Sequence, residues 1–170
     1  AEAIKYGCIK DAALFEKIAA YADDAELLAD IDSVVAACCS IKARIVEQDE
    51  FDTGLRMLLN FGHTLGHAVE QHFGYSHFTH GEGVAIGMYQ LTKRTEALGL
   101  TKAGTAARIK EVLEKYTLPI ASGVPKEALL STMAKDKKKQ GSSITLIILE
   151  SLGQGALKKI SWQEMPEYLE

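Results

Sequence analysis

The sequence predicts a mainly α-helical domain with a small β-hairpin near its C-terminus. Three observations predict it. Apolar residues recur at spacings of three and four through most of the chain; one β-branched run, Ile144 to Leu149, faces a second short run, Ala156 to Ile160, across Gly153-Gln-Gly155; and no glycine-rich strand-to-helix turn with a βαβ rhythm occurs anywhere.

Taken in order, Ile4, Ile9, Ala13 and Ile18 read as one helix, and Leu27, Ile31, Val34, Val35, Cys38, Ile41 and Ile45 as a second. Asp49 to Gly54 has turn composition, after which a helical pattern runs from about Leu55 to Phe73. Gly74 to Gly81 reads as a loop. Further helices are expected from Gly81 to Leu98 and from Lys102 to Tyr116, with Pro119 and Gly123 interrupting and Pro125 at a helix start. A lysine-rich turn, Lys135 to Lys139, precedes the hairpin, and Ser161 caps a last short helix.

With 170 residues, 47% of them apolar, and only three prolines, the chain is long enough to bury a core and should form one compact body. A net charge of -4 disfavours nucleic acid and anionic membranes as partners, and Ile144 to Leu149 is too short to span a bilayer. No basic segment followed by an apolar stretch opens the chain, so a cytoplasmic location and a small-molecule partner are expected. Cys8, Cys38 and Cys39 are odd in number and two are adjacent, which suits reduced, mostly buried thiols rather than a disulfide framework.

All five histidines, His63, His67, His72, His77 and His80, fall within the stretch 63–80. On a continuous helix advancing about 100° per residue, Arg56, Asn60, His63 and His67 would lie at roughly 0°, 40°, -20° and 20°, a narrow polar stripe opposite Leu58, Phe61, Leu65 and Val69. An ordinary solvated face mixes Lys, Glu, Gln and Ala, whereas these residue types bind anions, hydroxyls and metals. Gly62 and Gly66, each costing about 1 kcal/mol relative to Ala inside a helix, leave a bare strip where another backbone can approach.

Spacing alone makes His63 and His67 a zinc pair, but Thr64 stands where a His-Glu-x-x-His protease has its glutamate. His80, at a helix start in His80-Gly81-Glu82, is a second candidate ligand. Glu2 and Lys5, one turn apart, offer a carboxylate and a cation, and two histidines with a carboxylate form the donor set of a catalytic zinc with an open position.

Four blocks then stand in order along nearly the whole chain: AEAIKYG (Ala1 to Gly7), LRMLLNFGHTLGHAVE (Leu55 to Glu70), HGEGVAIGM (His80 to Met88) and DKKKQG (Asp136 to Gly141). Together they resemble the signature blocks of the 3-dehydroquinate synthase family, in its C-terminal, zinc- and substrate-binding domain. By that resemblance Glu2, His63 and His80 match the metal ligands, for zinc or another divalent ion such as cobalt, and His67 becomes a substrate-facing residue. Lys5, Lys42, Arg56, Asn60, His67 and Lys137 match positions lining the substrate pocket, with Lys5 and His67 in catalytic roles. Lys137 lies among three adjacent lysines that also make an ordinary solvated turn, and Lys138 is an alternative match.

The resemblance implies a substrate, 3-deoxy-arabino-heptulosonate 7-phosphate, whose carboxylate, phosphate and hydroxyls suit cations and an amide donor. It implies transient oxidation by NAD, loss of phosphate, re-reduction and ring closure to 3-dehydroquinate, a step of the shikimate pathway toward aromatic amino acids. The family's N-terminal nucleotide-binding domain is missing from residues 1–170, so no cofactor-binding residue for NAD is expected in this chain, which alone should be inactive. Partners implied are that domain, the sugar phosphate and further copies in a homo-oligomer of the full enzyme. A related sugar-phosphate cyclase and a non-catalytic helical binding module are the competing readings.

Overall fold

The computed structural model describes residues 1–49, 54–140 and 142–169, with the side chains of 135–140 excepted. It bears out the mainly helical fold with a C-terminal hairpin. Several expected helices are, however, divided. The first becomes α1 (Glu2–Lys10) and α2 (Ala12–Ala20), because Asp11 leaves the helical region at φ -147° and turns its carboxylate back to accept from the Leu14 N–H at 3.0 Å. The two helices fold tightly together at Gly7, where a Cβ would stand 2.8 Å from the Phe15 backbone.

The second divides into α3 (Asp24–Ala29) and α4 (Ile31–Gln48) at Asp30. The Asp30 carboxylate accepts from the Tyr21 hydroxyl at 2.6 Å and pairs with Lys17 at 2.8 Å, so polar bonds to α2 interrupt the apolar repeat. In the expected turn from Asp49 to Gly54, residues 50–53 lie outside the described residues. Asp49 closes the segment by accepting from the N–H groups of Gly54 and Arg56.

The helix expected from Leu55 to Phe73 is a 3-10 turn, Leu55–Asn60, followed by α5 (His63–His72). Gly62 breaks it at φ +80°, in the left-handed region open to glycine at little cost. The 100° stripe through Arg56, Asn60, His63 and His67 therefore does not exist as such, although Asn60, His63 and His67 still converge. α6 (His80–Ala97) begins with a capping box: the Thr79 hydroxyl accepts from the Glu82 N–H, while the Glu82 carboxylate accepts from Thr79. α5 and α6 meet on glycines, since a Cβ on Gly66 would stand 2.8 Å from the Gly83 carbonyl carbon and one on Gly87 would fall onto the Gly62 carbonyl oxygen. The bare strip read from Gly62 and Gly66 is this contact.

α7 (Thr105–Lys115) and α8 (Lys126–Gln140) follow, and the lysine-rich stretch continues α8 instead of forming a turn. Strands β1 (Ser143–Ser151) and β2 (Gln154–Ser161) pair antiparallel, with Ile144 opposite Ile160 and Ile148 opposite Ala156. Their apolar run does not alternate with polar residues because both faces are covered: Ile147 and Leu149 enter the core around α1, α2 and α4, while Ile144, Leu146 and Ile148 enter a second core with Leu65, Val69, Ile86 and Met133. The hairpin turn docks on α1, where the Gly153 N–H donates to the Cys8 carbonyl at 2.8 Å. The last helix is only a 3-10 turn, Met165–Tyr168, preceded by a bond from the Ser161 hydroxyl to Glu164. The three cysteines are free, as expected, but Cys39 is exposed.

The glycine contact gives a sharp expectation. Gly87→Ala should destabilise the chain by about 3 kcal/mol, because the added methyl meets a backbone oxygen that no rotamer change can move. Gly81→Ala on the same helix meets only a methyl at 3.6 Å and should be neutral or slightly stabilising. Urea denaturation of both variants checks the contrast.

Candidate metal centre

Three segments far apart in sequence deliver the donors. Glu2 opens α1, His63 is the first residue of α5 and His80 the first residue of α6. One ligand atom from each of Glu2, His63 and His80 lies within 4.8 Å of the others. The His63 Nε2 stands 3.8 Å from Glu2 Oε1, and the His63 and His80 ring centres are 5.1 Å apart. These are the three residues that the resemblance assigns to the metal.

The second nitrogen of each ring is already engaged. His63 Nδ1 lies 3.1 Å from the Phe61 carbonyl oxygen, and a carbonyl can only accept, so Nδ1 holds the proton and Nε2 keeps its lone pair. His80 Nδ1 lies 3.2 Å from Glu70 Oε1, a buried carboxyl on α5. Histidines that bind metal ordinarily give their other N–H to an acceptor in this way, so the donor set fits a divalent cation.

Lys5 is 3% exposed, and its ammonium donates to Glu2 Oε2 at 2.8 Å. A cation buried to that extent needs such a partner. Burial alone would raise the Glu2 carboxyl, but the hydrogen bond and charge of Lys5, helped by His63 and His80, hold it below the ordinary carboxylate range. Burial pushes the His63 ring below its ordinary value, with Lys5 and His67 adding to the effect against the Phe61 carbonyl and Glu2, which favour the cation. The centre is therefore anionic at Glu2 and neutral at His63 near pH 7, the states in which both bind metal.

Beside it lies a cavity of about 600 Å³. Asn60, His63, Thr64, His67 and Gln71 line one side, and Thr145, Lys159 and Trp162 of the hairpin region and Met133 of α8 contribute to the rest. Asn60 and His67, which the resemblance assigns to the substrate, thus both line the cavity. His67 is exposed, its ring 5.4 Å from His63, and it also forms a second group of donor atoms with Glu70 and His80. Lys5 stands under the metal centre rather than on the cavity wall. Lys42 is exposed on α4, one turn past the half-buried Cys38, and Arg56 is half-buried in the 3-10 turn; neither lines the cavity. The side chain of Lys137 lies outside the described residues.

Sequence reasoning missed Glu70, Lys159 and Trp162. A signal for Glu70 existed, an acidic residue three past His67 and seven past His63, on the histidine face of α5. Nothing in the sequence joined the hairpin to the histidines, since no local spacing relates residue 159 to residue 63.

The fold and this site define a helical domain bearing a candidate His/His/carboxylate metal centre beside a polar cavity. Residues 1–139 match the family described as 3-dehydroquinate synthase C-terminal, and the chain belongs to that family. It is 47% identical over 169 residues to a 3-dehydroquinate synthase of Clostridium acetobutylicum, covering 99% of this chain and 48% of the relative. A 3-dehydroquinate synthase of Enterococcus faecalis is 39% identical over 170 residues, again with 99% of this chain and 48% of the relative covered. The chain thus spans about half the length of the curated relatives it matches.

Among solved structures, a 2-deoxy-scyllo-inosose synthase complexed with carbaglucose-6-phosphate, NAD+ and Co2+ superposes with a TM-score of 0.76 at 18% identity, over 98% of this chain and 48% of that one. A 2-epi-5-epi-valiolone synthase from Streptomyces hygroscopicus, with NAD+ and Zn2+ bound, gives 0.71 at 20% identity, over 98% and 48%. At those identities the likeness shows a shared fold. No helix among the described residues is long and apolar enough to cross a membrane.

The position of His63 fixes the sign of one pH effect. Its folded-state value is depressed, so its contribution is fully present above the unfolded value of about 6.5 and is lost as pH falls from there through the lower folded-state value. In metal-free protein, thermal stability should decline over that interval, and His63→Gln should make the decline shallower. Melting curves of both proteins between pH 4.5 and 8 measure it.

Proposed function

We propose that this chain is the metal- and substrate-binding half of a 3-dehydroquinate synthase, acting on 3-deoxy-arabino-heptulosonate 7-phosphate with loss of phosphate. The single observation behind the reading is the convergence of Glu2, His63 and His80 within 4.8 Å at the edge of a cavity lined by Asn60, His63 and His67. Glu2, His63 and His80 hold a divalent cation, zinc or cobalt, whose contribution when bound is Lewis acidity toward hydroxyl and carbonyl oxygens. Lys5 keeps Glu2 ionised and in place through its 2.8 Å bond. Asn60, His67 and Lys137 take the phosphate end, with His67 in position to move a proton, while Lys42 and Arg56, which stand outside the cavity wall, take the carboxylate where the substrate extends beyond it.

NAD is taken by the nucleotide-binding domain of the whole enzyme, the partner for which this half is built. Among the described residues the sole sheet is the antiparallel hairpin, which offers none of the parallel βαβ architecture of a dinucleotide site. Hydride exchange needs cofactor and substrate carbon within contact distance, so catalysis belongs to the two halves together. The relatives' name and the cations Arg56 and Lys42 favour the carboxylated substrate over the uncarboxylated sugar phosphates of other cyclases.

Metal analysis after gentle purification tests the ligand set: His63→Ala and His80→Ala should each lose bound metal, whereas His67→Ala should keep it. Unchanged zinc or cobalt content in the first two would remove the basis of the assignment. Catalysis is tested by phosphate release. The 170-residue chain with NAD and substrate should be silent, and addition of a separately expressed nucleotide-binding domain should restore turnover; activity of the chain by itself would overturn the division of labour.

A further inference from the structure

Glu70 has no part in the pocket described above, yet it is one of the most deeply placed acidic side chains of the site, 6% exposed on α5. An acid buried to that extent is costly unless its oxygens are used. Its oxygen Oε1 lies 3.2 Å from His80 Nδ1, a bond between two helices. The glycine contact creates the room for it, since a Cβ on Gly83 would stand 3.1 Å from Glu70 Cγ and 3.4 Å from Cδ. The side chain is thus laid against the bare backbone of α6 just below its first turn. On the other side, the Thr79–Glu82 capping box fixes the helix start on which His80 sits.

We infer that Glu70 is a positioning residue of the metal centre. Its carboxyl oxygen accepts the Nδ1–H of His80, which selects one tautomer, fixes the ring plane and leaves the Nε2 lone pair for the cation shared with Glu2 and His63. The inference rests on the reading that Glu2, His63 and His80 hold the metal. The same atoms also form a competing donor set, because His67, Glu70 and His80 have ligand atoms within 4.8 Å of one another. Burial of the carboxylates separates the two: a catalytic cation keeps an open coordination position, and Glu2 is 47% exposed whereas Glu70 is buried and packed against Gly83.

Co2+ titration of the 170-residue chain, followed by visible absorption, tests the inference. Glu70→Gln should keep the metal-free far-UV circular dichroism and melting temperature near those of the parent while raising the Co2+ dissociation constant roughly 10- to 100-fold and altering the visible bands. His67→Ala should bind as the parent does. Parent-like affinity and spectrum in Glu70→Gln, with binding lost in His63→Ala, would sink the positioning role and leave the metal reading intact. Binding lost in both Glu70→Gln and His67→Ala but kept in His63→Ala would place the cation on the other donor set and overturn both, as would a parent chain that takes up no Co2+. A measurement that needs no variant stands beside these: in the metal-free parent, the ring 15N resonances of His80 should show the Nδ1–H tautomer, and the Nε2–H tautomer would refute the inference.

Discussion

The site depends on two helices approaching closer than side chains normally permit. Gly62 and Gly66 on one side and Gly83 and Gly87 on the other bring backbone against backbone, Gly66 on Gly83 and Gly62 on Gly87. Each glycine within a helix weakens that helix by about 1 kcal/mol relative to alanine, a local loss that the dense interhelical packing offsets. What the approach achieves is placement: it sets the start of α6 beside α5, so that His80 meets both His63 and Glu70. A methyl on Gly62, Gly66 or Gly87 would meet backbone and push apart the helices that hold two of the three proposed ligands.

The third donor is secured from the opposite end of the chain. Glu2 lies on α1, and α1 is held by the hairpin, through the Gly153 N–H to the Cys8 carbonyl and through Gly155 seated on Ile9 and Leu58. Because the hairpin is buried on both faces, its position is fixed by two cores at once. The same hairpin contributes Thr145 and Lys159 to the cavity wall, so one element both supports the metal-side helix and shapes the space where a substrate would rest. Electrostatics complete the arrangement. Lys5, buried beneath Glu2, keeps the carboxylate ionised, and burial keeps the His63 ring neutral, so two downward shifts of different cause yield donors ready at the same pH.

Under the proposed function such a domain would supply a metal and anion platform, and fold alone does not select its substrate. Under the proposed function, selection falls to Asn60, His67 and the hairpin's Lys159 on the cavity wall and to the cations Arg56 and Lys42 outside it. These come from a 3-10 turn, two helices and a strand. The candidate metal centre, by contrast, is tied at each histidine ring by a second hydrogen bond.

The helical class, the hairpin, the bare glycine strip and the clustering of histidines were all legible in the sequence, because each rests on local periodicity, turn chemistry or residue type. Resemblance to a family, on four quoted blocks, added Glu2 to His63 and His80, which spacing alone would not have done, since spacing favoured His63 with His67. Helix breaks were less legible: Asp11 and Asp30 interrupt apolar repeats through capping and side-chain bonds, and Gly62 takes a left-handed turn that periodicity ignores. Tertiary structure alone decided that Glu70 reaches His80 and that Lys159 and Trp162 border the same cavity as His67. These are contacts between segments distant in sequence, set by the way helices and hairpin pack, and no local pattern encodes where a folded chain brings two remote side chains together.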